Sequence, residues 1–333
     1  MKRSFQHCQV DYFGPLNIYE KIVIDKETHE LVTKAYGCLF SDYYSRACHI
    51  ELLPDGSTST FLYGFRRFCA TRGMPNELYS DQAQVFLKSA KELKRILSIP
   101  KNLRMSAELK KVISNYDWKT IETEIERKGC VWKHNVPKMS WAAGLVERNI
   151  GLVKSALVNT VRKTRLNYQQ MATYVKEAEC LVNLRPLGVL GSEGISVTPS
   201  ELSIGRNTTL LPDDGNLDFS KPLSRKMFEQ KRLTNSFFKR WQRDYLQNLS
   251  VSRIWKKDYP NILKPDMHVL VCDNDIAKNS WVQGRIVDLI KSKDGRIRSC
   301  SLKNKHGNLI FRPVSKISIY EHSLLEDFND NAE

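Results

Sequence analysis

Trp132–Lys154 reads WKHNVPKMSWAAGLVERNIGLVK. The run into it, GCVWKHNVP from Gly129 to Pro137, alternates briefly and stops at a proline, which predicts a short strand leading into a loop. A helical pattern follows. Ala142, Val146, Ile150, Val153, Leu157 and Val161 recur at spacings of three and four and form one apolar stripe. Glu147, Gly151, Lys154 and Val158 share the neighbouring face. Glu147 therefore stands near the start of an amphipathic helix, with Lys154 two turns further along the same side. A lone glutamate there is more often a solvated surface residue, and its company has to decide.

That company is two aspartates, each closing a β-like run: Asp11 in HCQVDYFGPL and Asp81 in ELYSDQAQVF. Two Asp and one Glu suit a pair of Mg²⁺ ions, because hard cations take carboxylate oxygens. Two such ions clamp the attacking and leaving oxygens of an in-line phosphoryl transfer. Each carboxylate alone is a weak signal.

In their local contexts the three resemble the integrases of BEL/Pao-type long-terminal-repeat retrotransposons, over about Phe5 to Tyr320. VDYFGPL is similar to the family's first metal-bearing strand. KAYGCLFSDYYSRACHIELL and STSTFLYGFRRFCATRGMPNELYSD follow in order. GLVE stands where the family carries Gly-Leu-Trp-Glu, and NLRPL and VTPSELSIGRNTTLLP are similar to the stretches that close its core. The resemblance implies an α/β protein. Residues 1–206 would be an RNase H-like mixed-sheet catalytic core and 207–262 a basic helical linker. Residues 263–321 would be a small all-β, Src-homology-3-like barrel that binds DNA, and 322–333 an acidic tail.

It further implies a DNA integrase, a polynucleotidyl transferase that trims the element's 3′ ends and joins them to target DNA. Asp11, Asp81 and Glu147 would be both catalytic residues and ligands to two Mg²⁺ or Mn²⁺. Double-stranded DNA, a homo-oligomer and the nucleus, reached from the cytoplasm, come with that reading. Lys154 matches the family's basic position two turns after the glutamate, and Arg148, next to Glu147, is a second candidate DNA contact. The departures are specific. Gly151 replaces a basic residue common one turn after the glutamate. Ser80-Asp81-Gln82-Ala83 replaces Ser-Asp-Asn-Gly, and Ser140-Trp141-Ala142-Ala143 replaces His-Phe-Gly-Gly. These keep open an alternative, a degenerate or domesticated integrase that binds DNA or chromatin without catalysis. A simple metal-dependent nuclease is a third reading. The family's His/Cys zinc module, which precedes the core, is missing from these residues, which implies a piece of a longer polyprotein or a truncated copy.

Composition agrees with a nucleic-acid partner. The 333 residues carry a formal net charge of +15, and 41% are hydrophobic against 27% charged, the balance of a folded chain that seeks a polyanion. No apolar run reaches transmembrane length, which argues against a membrane partner. The eight cysteines are scattered without a CxxC pair, so no zinc site is expected. The most one-sided stretch is Lys221 to Lys257, with eleven Lys/Arg against Glu229 and Asp244. Phe238, Trp241, Tyr245 and Leu249 recur there at helical spacing. The bland reading is a helix packing its aromatic face while Lys and Arg stay solvated. The sharper reading adds phosphate contacts by Arg240, Arg243, Lys256 and Lys257.

The remaining elements follow from turns and periodicity. Strands are predicted over Phe5–Phe13, Ala35–Phe40 and Ala47–Leu53, with residues 17–33 a long polar loop of some extended character. A helix capped by Ser57 or Thr58 should run through Arg72 to Gly73, and Leu78–Ser80 should be a buried strand. Residues 84–128 are predicted mainly helical, as a surface insertion. Further helices are expected over Gln169–Asn183 and Pro199–Ser203, with Gly188–Val197 a loop between them. Four or five short strands are expected within 264–320. Asp42 is a tempting extra ligand, read instead as a strand-end or turn residue.

Overall fold

A computed structural model describes residues 3–24, 26–80, 108, 111, 115, 117–133, 141–191, 194–210, 222–250, 263–272, 281–293 and 297–323; of 24, 118, 141–146 and 222–223 it describes the backbone alone. Five strands make the first sheet: β1 (His7–Ile24), β2 (Glu27–Asp42), β3 (Cys48–Leu53), β4 (Glu77–Ser80) and β5 (Val131–Lys133). Their order is β3-β2-β1-β4-β5. β2 runs antiparallel to β1 and β3, while β4 and β5 run parallel to β1. This mixed sheet is the RNase H-like arrangement the sequence predicted.

Strand alternation divides the core between the two faces of the sheet. Cys8, Val10, Tyr12, Cys38 and Phe40 pack with Phe61, Phe65 and Phe68 of α1 (Thr58–Arg72) and Ile121 and Ile125 of α2 (Trp118–Glu126). Ser57 caps α1 by accepting from the Thr60 N–H, and the Gly73 N–H closes it on the Cys69 carbonyl. The opposite face carries Phe13, Leu39 and Ile50 against α3 (Trp141–Val161) and α4 (Tyr168–Asn183). Ile150, Val153, Leu157 and Val161 of the predicted stripe are buried there. Most of the predicted 84–128 insertion lies outside the described residues.

Two expected loops are strands. β1 does not end at Gly14-Pro15. It passes through a register shift there, with Gly14 at φ +125°, and continues to Ile24. Residues 17–33 are thus a long hairpin with β2. Polar composition suggested a loop with some extended character; beyond Ile18, which is buried, the described ribbon is partly or fully exposed and needs no apolar alternation. The α3–α4 connection braces it, since the Tyr19 N–H donates to the Leu166 carbonyl at 2.9 Å and Arg165 pairs with Glu30 at 3.1 Å. The expected loop 188–197 likewise holds a small hairpin, β6 (Gly188–Leu190) with β7 (Ile195–Val197). After it comes α5 (Pro199–Ile204), with a capping box from Thr198 and a left-handed Gly205 at its end.

β3 is an edge strand, and α4 seals it. The Asn183 amide accepts from the Cys48 N–H and donates to the Cys48 carbonyl, both at 2.8 Å. Glu179 accepts from the Ile50 N–H at 2.8 Å, and the Tyr168 hydroxyl donates to the Leu52 carbonyl at 3.0 Å. Side chains here do the work of a sixth strand.

The long basic helix α6 (Pro222–Asn248) lies against α3 and α4. Its Phe237, Phe238, Trp241 and Tyr245 are buried, and Trp281 meets three of them edge-on. Behind it stands a second, wholly antiparallel sheet: β8 (His268–Val271), β9 (Gln283–Lys291), β10 (Ile297–Asn304), β11 (Leu309–Pro313) and β12 (Ile317–Ser318), ordered β11-β10-β9-β8-β12. This half-barrel matches the small barrel expected from the alternation and the Src-homology-3-like unit that the resemblance implied. One continuous apolar cluster runs from Leu39 through α3, α4 and α6 to Val269 and Ile286.

Candidate active site

Asp11 stands near the middle of the first sheet, on the face that α3 covers. Its register partner is Leu39 of β2. β4 runs alongside and ends with Ser80 opposite Val10, the residue before Asp11. Asp81 is the next residue and lies outside the described residues. From the other side α3 brings Glu147, exposed on its first two turns.

Asp11 and Glu147 meet electrostatically. Partial desolvation, and after it the negative charge of Asp11, raise the Glu147 pKa. The residue itself is exposed, so the Asp11 charge is the cause that locates it. Asp11 accepts from the Tyr12 N–H at 2.7 Å through one oxygen and pairs with the Lys154 ammonium through the other. Lys154 thus turns inward onto the carboxylate. Arg148 is exposed on the same helix.

Two residues beyond the sequence reading join the site. Gln9 lies two positions before Asp11, on the same face of β1, and is buried. Its amide oxygen accepts from the Tyr43 hydroxyl at 3.3 Å. Burial first, then the charge of Glu147, push the Tyr43 pKa up, so this phenol borders the same cleft. The period-2 spacing from Asp11 could have pointed to Gln9. Tyr43 lies in the β2–β3 turn and gave no signal. Asp42 is a strand-end residue, within the expectation: it closes β2 and accepts from the Ser45 N–H at 2.8 Å and the Ser45 hydroxyl at 2.6 Å.

The donor set suits a divalent cation. Asp11 holds the Lys154 ammonium, and Asp11 and Glu147 both offer the hard oxygens that Mg²⁺ or Mn²⁺ prefers. Among the described residues no group of three His, Cys, Asp or Glu is placed to hold a metal ion; the predicted third carboxylate, Asp81, is not one of them.

Of the candidate DNA contacts outside this cleft, Arg240 and Arg243 are exposed on α6, beside Lys239 and Arg232. Asp244 pairs with Arg243 at 3.0 Å. Lys256 and Lys257 lie outside the described residues. No described helix is long and apolar enough to cross a membrane.

A family of unknown function, DUF5641, matches residues 225–320, which take in most of α6 and the second sheet. No curated protein matches the chain. Among solved structures, a chain of the simian T-cell lymphotropic virus intasome in complex with PP2A regulatory subunit B56 gamma is 11% identical, with a TM-score of 0.32, over 96% of this chain and 81% of that one. The HTLV-2 integrase catalytic core domain in complex with magnesium is 14% identical, TM-score 0.31, over 60% and 97%. The catalytic core domain of BIV integrase is 12% identical, TM-score 0.34, over 60% and 95%. Scores at this level do not fix a fold, which rests here on strand order and register.

Proposed function

We propose that the chain is a DNA integrase of retrotransposon origin, of the BEL/Pao type its motifs resemble. The observation that supports the reading is the ion pair of Lys154 with Asp11 across the α3–β1 interface, two turns beyond Glu147 on the same helix, with β4 ending opposite Val10, the residue before Asp11. Asp11, Asp81 and Glu147 would hold two Mg²⁺ or Mn²⁺. When bound, these ions activate the attacking oxygen and stabilise the leaving one. The chain's own part is positioning, which is most of what phosphoryl transfer asks of a protein. The sheet fixes Asp11, α3 fixes Glu147, and Lys154 supplies a cation beside them for a DNA phosphate. Arg148, Arg240 and Arg243, with Lys256 and Lys257, would contact the backbone of element or target DNA. The working form would be a homo-oligomer in the nucleus.

The alternative, a non-catalytic DNA- or chromatin-binding descendant, draws support from Gln82-Ala83 after Asp81. Joining of a labelled, element-matched duplex end to a plasmid, with Mg²⁺ or Mn²⁺, separates them. An active wild type and an Asp81→Asn variant weaker by several orders of magnitude, with DNA binding intact, is the integrase outcome. Tight binding without joining by wild type favours the descendant. Cutting without joining points to a nuclease.

A further inference from the structure

Glu321 sits where the second sheet's last strand returns to the first sheet, and it is fully buried. The Ser318 hydroxyl donates to the Leu246 carbonyl, the Ile319 N–H to Leu249 and the His322 N–H to Leu187. The segment is therefore stitched to the end of α6 and to the start of β6. At its centre the Glu321 carboxylate takes four donors from four elements. One oxygen accepts from Asn149 Nδ2 at 2.9 Å, Arg185 Nε at 2.9 Å and the Tyr245 hydroxyl at 2.8 Å; the other accepts from Arg46 Nη1 at 2.8 Å. Arg46 holds a left-handed φ of 56°, and its carbonyl accepts from Arg185 Nη2 at 3.1 Å. A buried carboxylate is tolerated only with partners of this kind.

Asn149 connects this hub to the candidate active site. It lies two residues after Glu147 on α3. Among the described residues its buried Oδ1 has no hydrogen-bond partner, so the contact that orients it there is the one to Glu321. We propose that Glu321 is a positioning residue: through Asn149 it sets α3, and with it Glu147, against the first sheet, which makes the second sheet part of the site's framework. That Glu147 serves a metal rests on the integrase reading; that Glu321 holds α3 does not.

The test uses the full chain without DNA. Glu321→Gln keeps the shape, removes the charge and leaves two guanidiniums unpaired. Asn149→Ala cuts only the link to α3 and covers the case in which the first variant fails to fold. Amide exchange within residues 147–161 should quicken about tenfold in Asn149→Ala, while α1 and β9–β10 keep their protection. Mn²⁺ affinity at the carboxylates should fall about as much, with the global urea midpoint shifting little. Exchange in α3 equal to wild type, or faster exchange spread evenly over both sheets, overturns the proposal. If wild type binds no Mn²⁺, the integrase reading fails, and the exchange result still decides whether Glu321 sets α3.

Discussion

The Lys154 ammonium and the Asp11 carboxylate form an ion pair across the α3–β1 interface, both side chains mostly shielded from water. An ammonium and a divalent cation want the same oxygens, so they compete. Lys154→Met removes the competitor and should tighten Mn²⁺ binding about tenfold, worth roughly 1.4 kcal/mol for one partly buried pair. Titration calorimetry on the two proteins measures it. Equal affinities would mean that Lys154 leaves the carboxylate without cost. The same substitution should weaken binding of a DNA end, so the two readouts move in opposite directions.

Phe13 lies over Gly37, its register partner on β2. A Cβ at position 37 would fall 1.9 Å from the Phe13 ring. The ring is buried and cannot swing into water without exposing apolar area. Gly37→Ala should therefore destabilise the protein by about 1–3 kcal/mol, the usual range for overpacking. Urea unfolding reads it, and an unchanged midpoint would show that the ring has somewhere else to go.

Legibility followed periodicity. The α3 stripe, the α1 caps and the alternation of the second sheet were written in spacing and turn residues, and each formed as expected. Motif context singled out Asp11 and Glu147, and α3, which carries Glu147, is tied to β1 by the Lys154–Asp11 ion pair. Failures occurred where stability comes from partners distant in sequence. The 17–34 hairpin has no apolar alternation of its own and is braced by Arg165 and Leu166. Glu321 is the last residue of the expected barrel, next to the acidic stretch expected from 322, and nothing in its spacing marks a buried carboxylate. Only Arg46, Asn149, Arg185 and Tyr245, distributed over two hundred residues, make it a core residue.

Asn183 supplies both hydrogen bonds that Cys48 would otherwise take from a neighbouring strand. Asn183→Ala leaves a buried N–H and a buried carbonyl without partners, which should cost about 2 kcal/mol or more. It also reopens the β3 edge as a template for strand addition. The variant should show a lower urea midpoint and light scattering that rises with concentration. A stable monomeric variant would mean that water or a neighbour satisfies the edge.

Acid should act on the Glu321 hub in a defined window. Burial raises the carboxyl pKa, but the charges of Arg185 and Arg46 and their hydrogen bonds outweigh it and hold it at about 2, against an ordinary 4.5. A depressed acid pKa stabilises the fold when the group is ionised. The contribution is whole above about pH 4.5 and is lost as pH falls towards 2. Glu179 behaves alike: burial raises it, and His49, Lys176 and the Ile50 N–H bring it to about 2. Wild type should therefore lose stability steeply below pH 4.5, but other carboxylates titrate there too. Glu321→Gln isolates the hub, because glutamine has the shape of the protonated acid. At pH 7 the variant should be less stable by about 3–5 kcal/mol, the cost of breaking a buried pair. The gap should narrow below pH 4.5 and be nearly closed at pH 2, where about half of the folded wild type already carries a neutral side chain at position 321. Urea midpoints at pH 7, 4.5, 3 and 2 trace it. A gap that stays constant to pH 2 would show that the shape of the side chain, and not its charge, holds the segment in place.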